Sequence, residues 1–188
     1  MIDPAAQLDE HISTIQGLRP LLGELEAIAK KMTESLAANG KILWMGNGGS
    51  AADSQHLAAE LVGRFSRERR GLASVALTTD SSILTAVGND YGYERVFARQ
   101  VEAICRPGDV VVGISTSGNS PNVLQALDAA IECNAITVGL TGGSGGKMSD
   151  VVDHCLVVPA TSTARIQEAH ILMGHIICDW IEASVVGG

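Results

Sequence analysis

At 188 residues the chain is long enough for one domain with a full core. Apolar residues make up 46% but aromatics only 3%, so that core must be built from Ala, Val, Ile and Leu. A net charge of -8 argues against a general role on nucleic acid or at a membrane surface, both of which select for basic patches.

Two helical patterns open the chain, over about residues 3–16 and 21–38. In the second, Leu21, Leu22, Leu25, Ile28, Ala29, Met32 and Leu36 recur at helical spacing. Asn39-Gly40 supplies a C-terminal stop. The period then changes: residues 42–45, 74–77, 110–114, 136–140 and 155–158 are short, β-branched-rich runs. Helical stretches separate them, at about 50–63, 81–87, 91–104 and 119–133, and a last long helix covers about 163–184. Strands buried on both faces read this way, because helices cover each side of a parallel sheet. The expectation is an α/β fold, a doubly wound sheet of five parallel strands in three layers. The N-terminal helices (residues 1–38) are added to an α/β sandwich (41–188) within a single domain.

No n-region, h-region or uninterrupted apolar span of membrane length is evident, which predicts a cytoplasmic protein without membrane or nucleic-acid partners. Cys105, Cys133, Cys155 and Cys178 form no C-x-x-C and lie in or beside apolar segments, as buried reduced thiols do.

In such sheets ligands bind outside the carboxyl ends of the strands. Three polar, Gly-containing loops sit there: 46–50, 115–120 and 142–146. Gly46-Asn47-Gly48-Gly49-Ser50-Ala51 formally satisfies G-x-G-x-x-G/A, but the first acidic residue after the next strand, Asp80, falls well beyond the usual spacing of about 20 residues. "TGGSGGKMSD" fails as a Walker loop: Thr141 stands where the first glycine belongs and Met148 where Ser or Thr should follow the lysine. A flexible turn suits it better. "GISTSGNSPNV" is more informative. It delivers Ser115, Thr116, Ser117 and Ser120 to the start of a helix with Pro121 at its first position, and hydroxyls with free N–H groups surround a phosphate without any lysine. An ordinary capping turn uses the same residues.

His56 and Glu60 share one helical face at i, i+4. The last helix carries Gln167, His170 and His175. Gln167 and His175 are about 12 Å apart along a helix axis, so a single straight helix would strain to bring both to one ion. A site using both is easier to build if a second copy of the chain contributes one of them, which predicts a homo-oligomer. Arg67, Arg69 and Arg70 are read as a solvated loop, basic residues near Arg64 also suit a helix C-terminus, and Asp90 is a turn former beside Gly88-Asn89 or an aid to proton transfer.

The blocks "GNGGSAADSQHLAAEL", "VGNDYGYERVFARQV", "GDVVVGISTSGNSPNV", "LTGGSGGKM" and "ARIQEAHILMGH" together resemble the phosphoheptose isomerases of the sugar-isomerase (SIS) fold, in order and over nearly the whole chain. The resemblance implies a homotetramer with sites at subunit interfaces. It implies conversion of sedoheptulose 7-phosphate to D-glycero-D-manno-heptose 7-phosphate, opening heptose synthesis for lipopolysaccharide or another surface polysaccharide. It also implies a substrate site of Asn47, Gly48, Gly49, Asn89, Asp90, Ser115, Thr116, Ser117, Ser120 and Gln167. One zinc ion per subunit maps to His56, Glu60, Gln167 and His175, and the catalytic pair to Glu60 and His175. Two alternatives stand beside this reading: a non-catalytic relative that adapts the replication initiator, and an enzyme acting on another phosphosugar.

Overall fold

A computed structural model describes residues 3–186. Helix α1 (Pro4–Gln16) starts with Asp3 accepting a hydrogen bond from the Ala5 N–H and Pro4 in its first turn. A short 3-10 turn leads into α2 (Leu22–Ala37), and Asn39 follows in the left-handed region at φ 64°. The chain then alternates strand and helix. Strand β1 (Ile42–Gly46) feeds α3 (Gly49–Val62), and β2 (Ser74–Ala76) feeds α4 (Ser81–Tyr91) and α5 (Ala98–Ile104). β3 (Val110–Ile114) feeds α6 (Pro121–Glu132), and β4 (Ile136–Gly142) and β5 (His154–Val158) precede α7 (Thr163–Val186).

All pairings are parallel and the strand order is β2-β1-β3-β4-β5. The five expected strands are all present. One helix differs. Where a continuous helix over 91–104 was expected, α4 runs on to Tyr91 and the chain breaks at Gly92, φ 89°, before a 3-10 turn and α5. That backbone conformation suits glycine and cannot continue a right-handed helix.

Side chains alternate across the sheet, so each face has its own core. Ile42, Trp44, Val110, Val112 and Ile114 meet Ile28, Met32, Leu57, Leu61, Met173 and Ile177 of α2, α3 and α7. Leu43, Met45 and Val111 meet Val101, Val123 and Leu127 on the other side. Each fully buried aliphatic side chain contributes about 1.5–3 kcal/mol. All four cysteines are free thiols; Cys105 and Cys178 are buried, while Cys133 and Cys155 are half-buried.

By length and composition α7 passes for a membrane-crossing helix. It packs instead on α1, α2, α3 and the sheet, and carries polar groups into the interior. One is His170, fully buried, whose Nε2 lies 3.0 Å from the Thr141 carbonyl oxygen while Nδ1 has no partner among the described residues. Burial pulls its pKa from the ordinary 6.5 down to about 4, against the opposing pull of that hydrogen bond. The unfolded chain therefore takes up a proton between these two values that the fold refuses. Stability should fall as pH drops from about 6.5 to about 4, by about 3 kcal/mol from this residue. His170→Gln, which keeps a donor for Thr141, is expected to flatten that part of a Tm-versus-pH curve; an unchanged slope would refute the assignment.

Candidate active site

The strand order reverses direction between β1 and β3, and ligands bind at such a switch point outside the carboxyl ends of the strands. Gly46 and Ile114 are register partners there, so the loops that follow them lie side by side. Asn47 exchanges two amide hydrogen bonds with Asn122 on α6, of 2.9 and 2.8 Å, and accepts a third at 3.2 Å from the Tyr93 hydroxyl. Gly48 precedes α3, and Gly49 lies so near the Gln167 amide that an added Cβ would be 3.1 Å from it.

The hydroxyl loop after β3 is drawn together. Ser115 Oγ lies 2.9 Å from Ser120 Oγ and 3.5 Å from Ser117 Oγ, with Thr116 half-buried between them. Pro121 opens α6 as expected. Loop 142–146, expected to be a flexible turn, is a buttress for the hydroxyl loop. Met148 N–H donates to the Gly118 carbonyl at 3.0 Å and Lys147 N–H to Asn119 Oδ1 at 3.1 Å. The two loops approach backbone to backbone, which explains glycines on both sides.

His56 and Glu60 stand one turn apart on α3, with His56 Nε2 and Glu60 Oε1 3.2 Å apart. His175 comes to them from α7: its Nε2 lies 2.8 Å from His56 Nε2, and the rings meet edge to face at 5.0 Å. The helices run close because residue 174 is glycine, where a Cβ would sit 2.6 Å from the Leu57 methyls. His175 thus meets His56 and Glu60 within one chain. Gly174 lets α7 lie directly against α3, so these three side chains meet without help from a second copy.

One ligand atom from each of His56, Glu60 and His175 lies within 4.8 Å of the others. Two imidazole nitrogens and a carboxylate oxygen this close together, on a side open to solvent, are of the donor types that zinc accepts. Gln167 Nε2 donates to both oxygens of Asp53, at 3.0 and 3.1 Å, which leaves its carbonyl oxygen to face elsewhere. Burial raises the Asp53 pKa, opposed by that hydrogen bond and by nearby His56 and His175.

Asn89 and Asp90 stand apart. They occupy the last turn of α4, not a turn beside Gly88, are exposed, and bond to each other at 2.8 Å; no hydrogen bond joins them to the other candidates. The arginine stretch is not simply solvated. Arg69 donates to the carbonyls of Glu60, Leu61 and Gly63, capping α3, and Arg67 pairs with Asp179 at 2.6 Å. Asp53, Asn122 and Tyr93 escaped the sequence reading. Only Asp53 had a signal, three residues before His56 on the same helical face.

A family model, the SIS domain, matches residues 11–142. The phosphoheptose isomerase of Roseiflexus sp. (strain RS-1) is 56% identical over 180 residues, 96% of this chain and 90% of that protein. This chain belongs to the phosphoheptose isomerases of the SIS-domain family. The Geobacter sulfurreducens phosphoheptose isomerase is likewise 56% identical, over 96% of each chain. The solved phosphoheptose isomerase of Neisseria gonorrhoeae is 50% identical and superposes with a TM-score of 0.91, covering 95% of this chain and 96% of that one.

Proposed function

We propose that this phosphoheptose isomerase family member converts sedoheptulose 7-phosphate to D-glycero-D-manno-heptose 7-phosphate with Glu60 and His175 as its proton-transfer pair. Residues 1–188 act as one catalytic unit in the cytoplasm, where the free thiols are at home, and the product opens heptose synthesis for surface polysaccharide. The observation that carries the reading is the meeting of Glu60 with His175 across α3 and α7, through His56.

The reaction needs a proton moved between adjacent carbons. Glu60 takes one from C1 of the open-chain ketose, the C–H electrons form the C1=C2 bond, and His175 gives a proton to the C2 oxygen. The enediol then collapses: a proton returns to C2, O1 loses its own, and C1 becomes the aldehyde. Ser115, Thr116, Ser117 and Ser120 hold the phosphate, while Asn47, Gly48, Gly49 and Gln167 orient the chain of hydroxyls. His56, Glu60, Gln167 and His175 would hold one zinc ion per subunit, which when bound supplies Lewis-acid stabilisation of the developing oxyanion.

Asn89 and Asp90 serve a neighbouring copy's substrate in a homotetramer. Support comes from α4, which buries none of its residues although it carries Ile83 and Leu84, and from the apolar cleft it forms with Val75, Ala103 and Ile104.

The test is incubation with sedoheptulose 7-phosphate, with added zinc or with chelator, and product identification by NMR. Heptose 7-phosphate with zinc, suppressed by chelator, is expected. Turnover of a six-carbon phosphate instead would redirect the substrate, and none at all would favour a binding protein. Light scattering on the same sample should give four chains; a monomer would remove the role given to Asn89 and Asp90.

A further inference from the structure

Glu182 is a carboxylate on α7 with no solvent exposure, in a place the reaction does not directly use. It lies seven residues beyond His175, two turns along the same side of the helix. A carboxylate so deep stays charged only where donors replace water. Here the donors are three successive backbone N–H groups: Phe65 at 2.9 Å, Ser66 at 2.9 and 3.2 Å, and Arg67. Burial pushes the Glu182 pKa up, but the hydrogen bonds from Ser66, Arg67 and Phe65, with the charge of Arg69, outweigh it and hold the carboxyl below its ordinary value. Arg67 pairing with Asp179 and Arg69 capping α3 tie down the same segment.

That segment positions one ring. Phe65 is half-buried and packs on the core, and its ring lies 5.6 Å from the His175 ring at a tilt of 40°. The His56 ring lies 5.0 Å away, at 71°. The His175 imidazole thus has two ring neighbours, and only one of them belongs to a helix. The other depends on the loop that Glu182 grips.

From this we infer that Glu182 is a positioning residue for the reaction, fixing the segment after α3 so that Phe65 holds the His175 imidazole toward His56 and Glu60. The inference rests on His175 being the acid–base partner of Glu60. Buried charges are costly and commonly replaceable by apolar groups of similar volume. Three N–H donors converging on one carboxylate fix a loop's place more tightly than packing does.

Phe65→Leu, Glu182→Gln, their double variant and His175→Asn separate the possibilities. Phe65→Leu is expected to lower kcat about 10-fold, since small misplacement of a reacting group is costly, with KM and Tm near those of the parent. Glu182→Gln should lower kcat alike, and its double with Phe65→Leu should be no slower than the slower single variant, as for two residues on one path. In metal-free Glu182→Gln, where Phe65 is present but displaced, the His175 ring-proton resonances should move. Zinc affinity, measured by titration of metal-free protein, should weaken in both single variants. Should Glu182→Gln fail to fold, Phe65→Leu alone decides. Parental kcat in Phe65→Leu while His175→Asn is inactive overturns this inference alone, as do losses that simply multiply in the double variant. Normal turnover in His175→Asn overturns the acid–base reading and this inference with it.

Discussion

Glu60→Gln is expected to lower kcat by about 1,000-fold, roughly 4 kcal/mol of barrier, while sugar-phosphate binding changes by no more than a few-fold. The amide preserves the shape of the side chain and an oxygen facing His56, so the hydroxyl loop and the Asn47 turn keep their arrangement. What it lacks is basicity, and without a base near C1 the enediol does not form. Steady-state kinetics, with calorimetric titration of a sugar phosphate that cannot isomerise, reads the two effects separately. A variant that turns over within tenfold of the parent would remove Glu60 from the mechanism. One that loses binding as heavily as turnover would make it a substrate ligand instead.

Gly118→Ala should be the most damaging single methyl group in the chain. Gly118 has φ 65°, and an added Cβ would lie 2.0 Å from the Gly145 carbonyl oxygen and 2.8 Å from Thr141 Oγ1. The nearer obstacle is backbone, held by loop 142–146, so it cannot swing aside as a side chain would. A loss of about 3 kcal/mol in stability is expected from strain and overpacking together, visible as a lower midpoint in urea. Because the two loops must part, Ser115, Ser117 and Ser120 separate and KM should rise about tenfold or more; each tenfold step is about 1.4 kcal/mol of binding. Gly108→Ala is the control. Gly108 has φ 86° but nothing within 4 Å of its added Cβ, so it should cost only the backbone strain, about 1 kcal/mol. If both substitutions cost the same, loop contact is not what matters at Gly118.

The sheet was legible because strands covered on both faces leave uninterrupted β-branched runs, and 110–114 is found as β3 at the very residues expected. Helix ends carried by local chemistry were legible too: the stop at Asn39 and the start at Pro121 each need only their own neighbours. The break at Gly92 was missed because glycine is tolerated inside a helical pattern, and only the left-handed turn that joins α4 to α5 shows its purpose. His56 and Glu60 shared a face by spacing alone. That His175 would reach them in the same chain was not visible, since it depends on how closely two helices distant in sequence approach, and Gly174 opposite Leu57 decides that. Asn122 gave no signal for a similar reason. Its amide matters only because β1 and β3 end side by side and bring Asn47 to it.

One helix, α7, is both spine and workbench. Met173, Ile177 and Ile181 on it are central to the larger core, while Gln167 meets Asp53, His175 meets His56, and Glu182 grips the segment beyond α3. A wall made from a peripheral loop would be free to melt and reform while the rest of the protein stayed intact. Here that independence is lost. Local fraying leaves the backbone under the imidazole where it is, and whatever shifts that backbone has already dismantled the domain's interior.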